Sequence, residues 1–233
     1  MINNGDDKFI DFINKPSKDR EQAPKNPEYN EKIVAFVDIL GMSEYMRQIK
    51  KGKKSDATMK YNIINLISDL FSSTFKDTHF SKMEISDSFV ISTNKEQLSV
   101  LINKLASFQL QLLIETGFLL RGAITYENII DKIDKNRIIG PAFVLAHDLE
   151  VKVVIYPRII IDKTVVYKKK TLKLREDSDK YIFIDYLSDL SDNDYASIKE
   201  IMSKWNRKEK NRMIVQKRNW FKKYYEDKTR ELR

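Results

Sequence analysis

The sequence predicts an α+β fold of ferredoxin-like arrangement, an antiparallel sheet covered on one face by helices. Three observations predict it. The apolar run Ile-Val-Ala-Phe-Val at residues 33–37 reads as a buried strand. Two stretches with apolar residues at helical spacing, within 59–71 and 98–113, follow it. Between those stretches, short apolar runs at 80–86 and 88–92 flank Asp87 as a hairpin. Read to residue 125, the element order is β-α-α-β-β-α-β.

The elements follow in chain order. Residues 1–28 are polar and carry Pro16, Pro24 and Pro27, so a mobile arm is expected, with Phe9, Ile10, Phe12 and Ile13 able to dock as one helical turn. Residues 32–38 form the first strand. A turn at 39–42 leads into a helix over 43–49, and a basic loop at 50–54 contains Gly52. Ser55 or Asp56 can cap the next helix, whose apolar positions include Met59, Ile63, Ile67, Leu70 and Phe71. Asn94 is expected to cap a helix over 95–115, which Gly117 ends at the C′ position. Residues 118–125, FLLRGAIT, read as a buried strand with Arg121 as its one charge. A loop is expected at 127–136, a short strand at 137–139, and a helix from Pro141 to about residue 152. Residues 157–162 read as an edge strand or the lead into one, and 181–185 as another strand. Helices are expected over 193–204 and 208–231, the second basic and aromatic, with Trp220, Phe221, Tyr224 and Tyr225. This divides the chain into an arm at 1–28, a main domain at 29–190 and a basic helical extension at 191–233.

Composition narrows the function classes. With 233 residues, 42% of them hydrophobic, the chain is long enough to bury a sizeable core. It has no cysteine, which excludes disulfides and thiolate metal sites and fits a reducing compartment. No apolar stretch approaches the roughly 20 residues of a membrane span, and MINNGDDKF lacks the basic and apolar regions of a signal peptide. A cytoplasmic protein is expected. The net charge of +8 is concentrated after residue 204. Such a cluster either attracts an anionic partner or forms a solvated helix face. No nucleic-acid-binding signature accompanies it, so the solvated face is the favoured reading.

Two carboxylates carry the candidate chemistry. Asp38 sits at the end of the first strand, and Asp87 sits at the hairpin tip. A carboxylate beside a buried strand needs a partner or a cation. Each alone is an ordinary turn or cap residue; as a pair on neighbouring strand ends they form a split site for two divalent ions. Oxygen donors of this kind select Mg²⁺ or Mn²⁺. Gly41 allows close backbone approach, and the N–H groups of residues 40–43 at a helix start can cradle phosphates. Arg121 requires an anion: a phosphate, or else Glu84 or Asp87.

At these residues the sequence resembles a known family. FVDILGMS is similar to the first metal motif of class III nucleotidyl cyclases, and ISDSFVIS to their second, with Ser86 in place of a glycine. LLRGAIT resembles the strand bearing their phosphate-binding arginine, and IIGPAFVLAHDLE their glycine-initiated helix. The variant forms of these motifs, with PRIIID, YIFIDYL and QKRNWFKKYYED, resemble the pyrimidine cyclases of the Pycsar antiphage system. The resemblance implies that Asp38 and Asp87 ligate Mn²⁺ or Mg²⁺ with the carbonyl of Ile39. It implies that Gly41, Met42 and Ser43 hold phosphate through their amides, and that Arg121 binds phosphate. It further implies UTP or CTP as substrate, a homodimer with composite active sites, and an effector protein that senses the cyclic product without binding the enzyme stably. The class's adenine-selecting lysine and acid fall near Met83 and Arg137, which argues against ATP. Its transition-state asparagine and arginine map to Val144 and Asp148, which keeps a catalytically inactive, nucleotide-binding regulator as the alternative. His147 beside Asp148 is read as structural.

Overall fold

A computed structural model describes residues 29–47, 54–132, 137–167, 172–205 and 209–231; the arm expected at 1–28 and the basic loop at 50–53 lie outside the described residues. Strand β1 (Asn30–Leu40) lies antiparallel between β3 (Ser88–Thr93) and β4 (Leu119–Lys132), with β2 (Ser81–Ile85) outside β3. Beyond β4 come β6 (Ile159–Ile161), β8 (Ile182–Ile184) and β7 (Leu174–Glu176), while β5 (Arg137–Ile139) pairs with the far end of β4. The described helices are α1 (Met42–Arg47), α2 (Lys54–Thr74), α3 (Leu98–Thr116), α4 (Pro141–Lys152), α5 (Asp192–Ser203) and α6 (Arg212–Glu231).

The period of two in β1 sorts its side chains onto two faces. Ile33, Ala35, Val37 and Ile39 enter the main core with Phe71, Phe75 and Ile67 of the α2 side and Leu101, Leu105 and Phe108 of α3. There the Phe89 ring lies 4.4 Å from that of Phe71 and 5.4 Å from that of Phe108. Each such buried aromatic contributes roughly 1.5–3 kcal/mol from area alone. Val34 and Phe36 face the other way, into a smaller core with Ala142 and Ala146 of α4 and Ile138 of β5. Helices therefore cover both faces, where the sequence reading puts them on one, because the alternation of β1 is apolar on both sides; among the described residues α4 is the helix on the second face. The α+β arrangement, a sheet covered by helices, is as the sequence predicts.

Several boundaries differ from the sequence reading. β4 runs on to Lys132, where a loop was expected from residue 127, because Ile130 pairs with Ile139 and Ile129 with Asn30. The polar Tyr126-Glu127-Asn128 interrupts the apolar run but not the ladder. β6 lies inside the sheet, parallel to β4 and antiparallel to β8, although 157–162 reads as an edge strand or the lead into one. A parallel neighbour requires a long crossover, and α4 supplies it. β7 has no signal in the sequence. Asn94 makes no side-chain cap; it precedes a 3-10 turn at Lys95–Gln97, and the α-helix begins at Leu98. Gly117 closes α3 as expected, its N–H donating to the Leu113 carbonyl at 2.8 Å. α5 starts from a reciprocal capping box between Ser191 and Asp194.

The C-terminal helix joins the main core. Phe221, Tyr224 and Tyr225 of α6 are buried in it. Tyr224 donates to Asp185 at 2.6 Å, and Lys228 pairs with the same carboxylate at 2.6 Å. Arg158, fully buried beside β6, pairs with Asp177 and Asp179 and lies over the Trp220 ring. The indole N–H of Trp220 donates to Asp177 at 2.7 Å. Among the described residues no helix is long and apolar enough to cross a membrane.

Gly122 of β4 packs against β1 with no room for a side chain. A Cβ there would stand 2.2 Å from the Phe36 carbonyl oxygen and 2.9 Å from the Val37 Cα. Both are backbone atoms of the central strand, so relief requires the strands to part. Gly122→Ala is expected to cost about 3 kcal/mol or more, read as a lower urea midpoint; an unchanged midpoint would refute the tight packing.

Candidate active site

The strand register builds the site. Asp38 lies opposite Ser88 on β3 and opposite Arg121 on β4, and directly paired residues share a face of the sheet. All three therefore stand on the α4 face, at the end of β1 that the buried alternation Val34, Phe36 leads up to. Ser88 Oγ donates to Asp38 Oδ1 at 3.1 Å, and Arg121 Nε approaches Oδ2 at 3.5 Å. Asp87 caps the β2–β3 turn. Its backbone carbonyl accepts from Ile39 N–H at 3.1 Å, which ties the hairpin tip to the end of β1. Its carboxylate Oδ2 accepts from Ser43 Oγ of α1 at 3.2 Å.

Gly41 turns the chain from β1 into α1 with φ 88°. A Cβ there would meet nothing within 4 Å, so its requirement is conformational, not steric. Its carbonyl accepts from Tyr45 N–H at 2.9 Å. Met42 is buried in the main core, so only its backbone faces the turn. Asp38, Ile39, Gly41, Met42, Ser43, Asp87 and Arg121 thus gather at one end of the sheet. A cavity of about 380 Å³ adjoins them on the α1–α2 side, lined by Met42, Ser43, Ile64, Glu84 and Asp87 among others.

Arg121 is more heavily engaged than the sequence suggests. Nη2 stands 2.5 Å from Glu150 Oε1, and Nη1 donates to the Val154 carbonyl at 3.2 Å. The partner is thus Glu150 with Asp38. Glu84 is not available: it pairs with Phe89, on the α2–α3 face, and takes Ser68 instead. Glu150 is 3% exposed, and the Glu150 contact is a close ion contact without hydrogen-bond alignment. Burial pushes the Glu150 carboxyl up to about 7, against the pull of Arg121 and helped by Asp38. Burial likewise raises Asp38, opposed by Arg121 and reinforced by the charge of Asp87. From α6, Lys217 belongs to the same field: burial lowers its pKa, Arg121 lowers it further, and Asp38 and Glu150 oppose both.

Glu150, Val154 and Lys217 are the site residues that sequence reasoning missed. Glu150 follows Ala142 and Ala146 at spacings of four, which makes it the one acid on the buried stripe of α4. Lys217 precedes Phe221 and Tyr224 by four and seven, a lysine on the apolar stripe of α6. Both signals were present in the periodicity. The other helix positions face outward. Val144 is exposed, Asp148 pairs with Lys152 at 2.7 Å, and His147 is an exposed ring edge-on to Phe36 at 5.1 Å. Met83 lies against the smaller core, and the side chain of Arg137 is outside the described residues.

The fold has solved counterparts. A bacterial light-regulated adenylyl cyclase superposes with a TM-score of 0.51 at 17% identity, covering 76% of this chain and 57% of that one. The adenylyl cyclase CyaB from P. aeruginosa gives a TM-score of 0.51 at 14% identity, covering 67% of this chain and 93% of that one. The chain has the class III cyclase fold. At these identities the likeness is one of fold, and the chain spans little more than half the length of the light-regulated cyclase. Neither a protein-family model nor a curated protein sequence matches the chain. On this cyclase fold the charged row lies at the mouth of the central strand.

The raised pKa of Glu150 fixes a sign. A carboxyl that titrates near 7 when folded and near 4.5 when unfolded binds more protons in the folded state between those values. Stability linked to it is complete below about pH 4.5 and is lost as pH rises through 7. Glu150→Gln removes that slope. Without divalent cations, the stability of the variant relative to wild type should improve between pH 5 and pH 7.5 by on the order of 2 kcal/mol. Parallel denaturation curves for the two proteins across this range would refute it.

Proposed function

We propose that the protein is a pyrimidine nucleotide cyclase, converting UTP or CTP to the 3′,5′-cyclic monophosphate and pyrophosphate, a second-messenger synthase of antiphage defence. The observation that carries the reading is the convergence of Asp38, Asp87 and Arg121 at one sheet end of a class III cyclase fold. In the reaction the ribose 3′-oxygen forms a bond to the α-phosphorus as the bond to the pyrophosphate oxygen breaks. The hydroxyl proton passes to solvent.

The donor set suits a divalent cation. Asp38 is partly buried next to a second carboxylate, and Arg121 offsets only part of that charge. Among the described residues no three His, Cys, Asp or Glu side chains form a ready-made cage. Asp38, Asp87 and the Ile39 carbonyl would therefore hold Mn²⁺ or Mg²⁺ together with phosphate oxygens, as such ions prefer. Two bound ions would acidify the 3′-hydroxyl and neutralise the phosphate oxygens.

The chain's own residues do the positioning. Ser88 and Arg121 hold Asp38 on its face, and Ser43 orients Asp87. The Gly41, Met42 and Ser43 amides would receive phosphate at the turn, while Arg121, engaged by Asp38, Glu150 and the Val154 carbonyl, would contribute positive charge to the site without a direct phosphate contact. Met83 where the class uses an adenine-selecting lysine argues against ATP, and the pyrimidine base rests on the resemblance of the variant motifs. A homodimer would complete each site from its partner, and an effector protein would sense the diffusing product. One observation favours a second reading, a nucleotide-binding regulator without activity: exposed Val144 and the Asp148–Lys152 pair stand where the class places its transition-state groups.

Incubation of the pure protein with each of the four ribonucleoside triphosphates and Mn²⁺, with products resolved by mass, tests the assignment. Cyclic UMP or cyclic CMP is the expected product. Asp38→Ala and Asp87→Ala should each lower turnover by more than about 100-fold while the protein still melts cooperatively. Wild-type rates from either variant would overturn the two-metal assignment, and binding of nucleotide without turnover by wild type would favour the regulator.

A further inference from the structure

Among the described residues, the charge count at the site leaves a cation without an ion-pair partner. Arg121 has all three of its guanidinium nitrogens directed to Asp38, Glu150 and the Val154 carbonyl. Little of it remains for a phosphate. Asp148, at the position where the class carries a cation, is an acid already paired with Lys152. The other cation is Lys217. It is half-buried on the stripe of α6 that also carries Phe221 and Tyr224. Among the described residues no carboxylate stands at ion-pair distance from its ammonium, although Asp38 and Glu150 both act on it through space.

The helix is anchored so as to hold Lys217 there. Its neighbour Gln216 donates to the Tyr156 hydroxyl at 3.3 Å, and Trp220 stacks on the Tyr156 ring at 5.6 Å with planes 9° apart. Tyr156 is two residues from Val154, whose carbonyl holds Arg121. The segment 154–158 therefore lies between α6 and the guanidinium, and Arg158 locks its other end beneath Trp220. A lysine held near a partly neutralised row of acids, without an ion-pair partner among the described residues, is suited to a multiply charged anion.

We propose that Lys217 of α6 binds the triphosphate of the nucleotide, so that the C-terminal helix is part of the active site. This rests on the nucleotide-cyclase reading of Asp38 and Asp87. Lys217 acts from the same chain as those carboxylates and supplies a positive charge that Asp148, standing where the class has an arginine, does not.

Titration calorimetry of the full-length protein with inorganic tripolyphosphate in the presence of Mn²⁺ tests this without requiring turnover. Lys217→Met should weaken binding by about tenfold or more, the loss of one charge-assisted contact. Lys217→Arg should bind within about threefold of wild type. Lys222→Met, which alters an exposed lysine of the same helix paired with Glu226, should bind as wild type does. Wild-type affinity in Lys217→Met overturns the assignment and leaves the cyclase reading intact. Equal losses in Lys217→Met and Lys217→Arg also overturn it, because only packing would then be at stake. Absence of tripolyphosphate binding by wild type overturns the assignment of Lys217, whereas the cyclase reading stands or falls on turnover of the four triphosphates.

Discussion

The register of β1 between β3 and β4 is the constraint on which the rest depends. It sets Asp38 opposite Ser88 and Arg121, and the period of two puts all three on one face. A slip of one residue would turn Asp38 toward Phe89 and the main core and expose Ile39. The register is held from two sides. Alternate residues of β1 fill two separate cores, and Gly122 presses against the β1 backbone so closely that no other residue fits. The site's geometry is thus inherited from the packing of the sheet.

Electrostatics at that sheet end is a contest between desolvation and pairing. Among the described residues, Asp38, Asp87 and Glu150 share one electrostatic field with two cations, Arg121 and Lys217. For the carboxyls of Asp38 and Glu150, burial outweighs the attraction of Arg121. Such a cluster is unfavourable to build from protein groups alone. It is tolerated where a ligand brings the missing charge, and added divalent cations with a polyanion would do so. The buried Arg158 pair is the contrasting case: its acids, Asp177 and Asp179, come with their own arginine and with three aromatic rings. That cluster fastens α6 to the sheet, whereas the row at Asp38 is left short of positive charge.

α6 links the two clusters. One stripe of a single helix carries Tyr224 against Asp185, Trp220 against Asp177 and Lys217 toward the Asp38 row. Its basic composition therefore has two components. Lys222 and Arg230 are exposed and belong to a solvated face. Lys217 lies on the apolar stripe, where a lysine carries a desolvation cost that composition alone does not reveal.

The sequence by itself determined the elements whose signal is local. The apolar run of β1, the hairpin around Asp87, the long periodic helices α2 and α3, Gly117 and Pro141 were legible, because alternation, helical spacing and cap chemistry act within a few residues. That Asp38 and Asp87 stand on neighbouring strand ends was legible from motifs in order. Tertiary structure alone decided what depends on distant neighbours. β6 became an interior, parallel strand because α4 crosses the sheet; β4 outran its polar residues because β5 pairs with it; β7 exists because β8 lies beside it. It also decided that Arg121 turns to Glu150 rather than Glu84, since which face a charge occupies follows from register across the sheet and not from nearness along the chain.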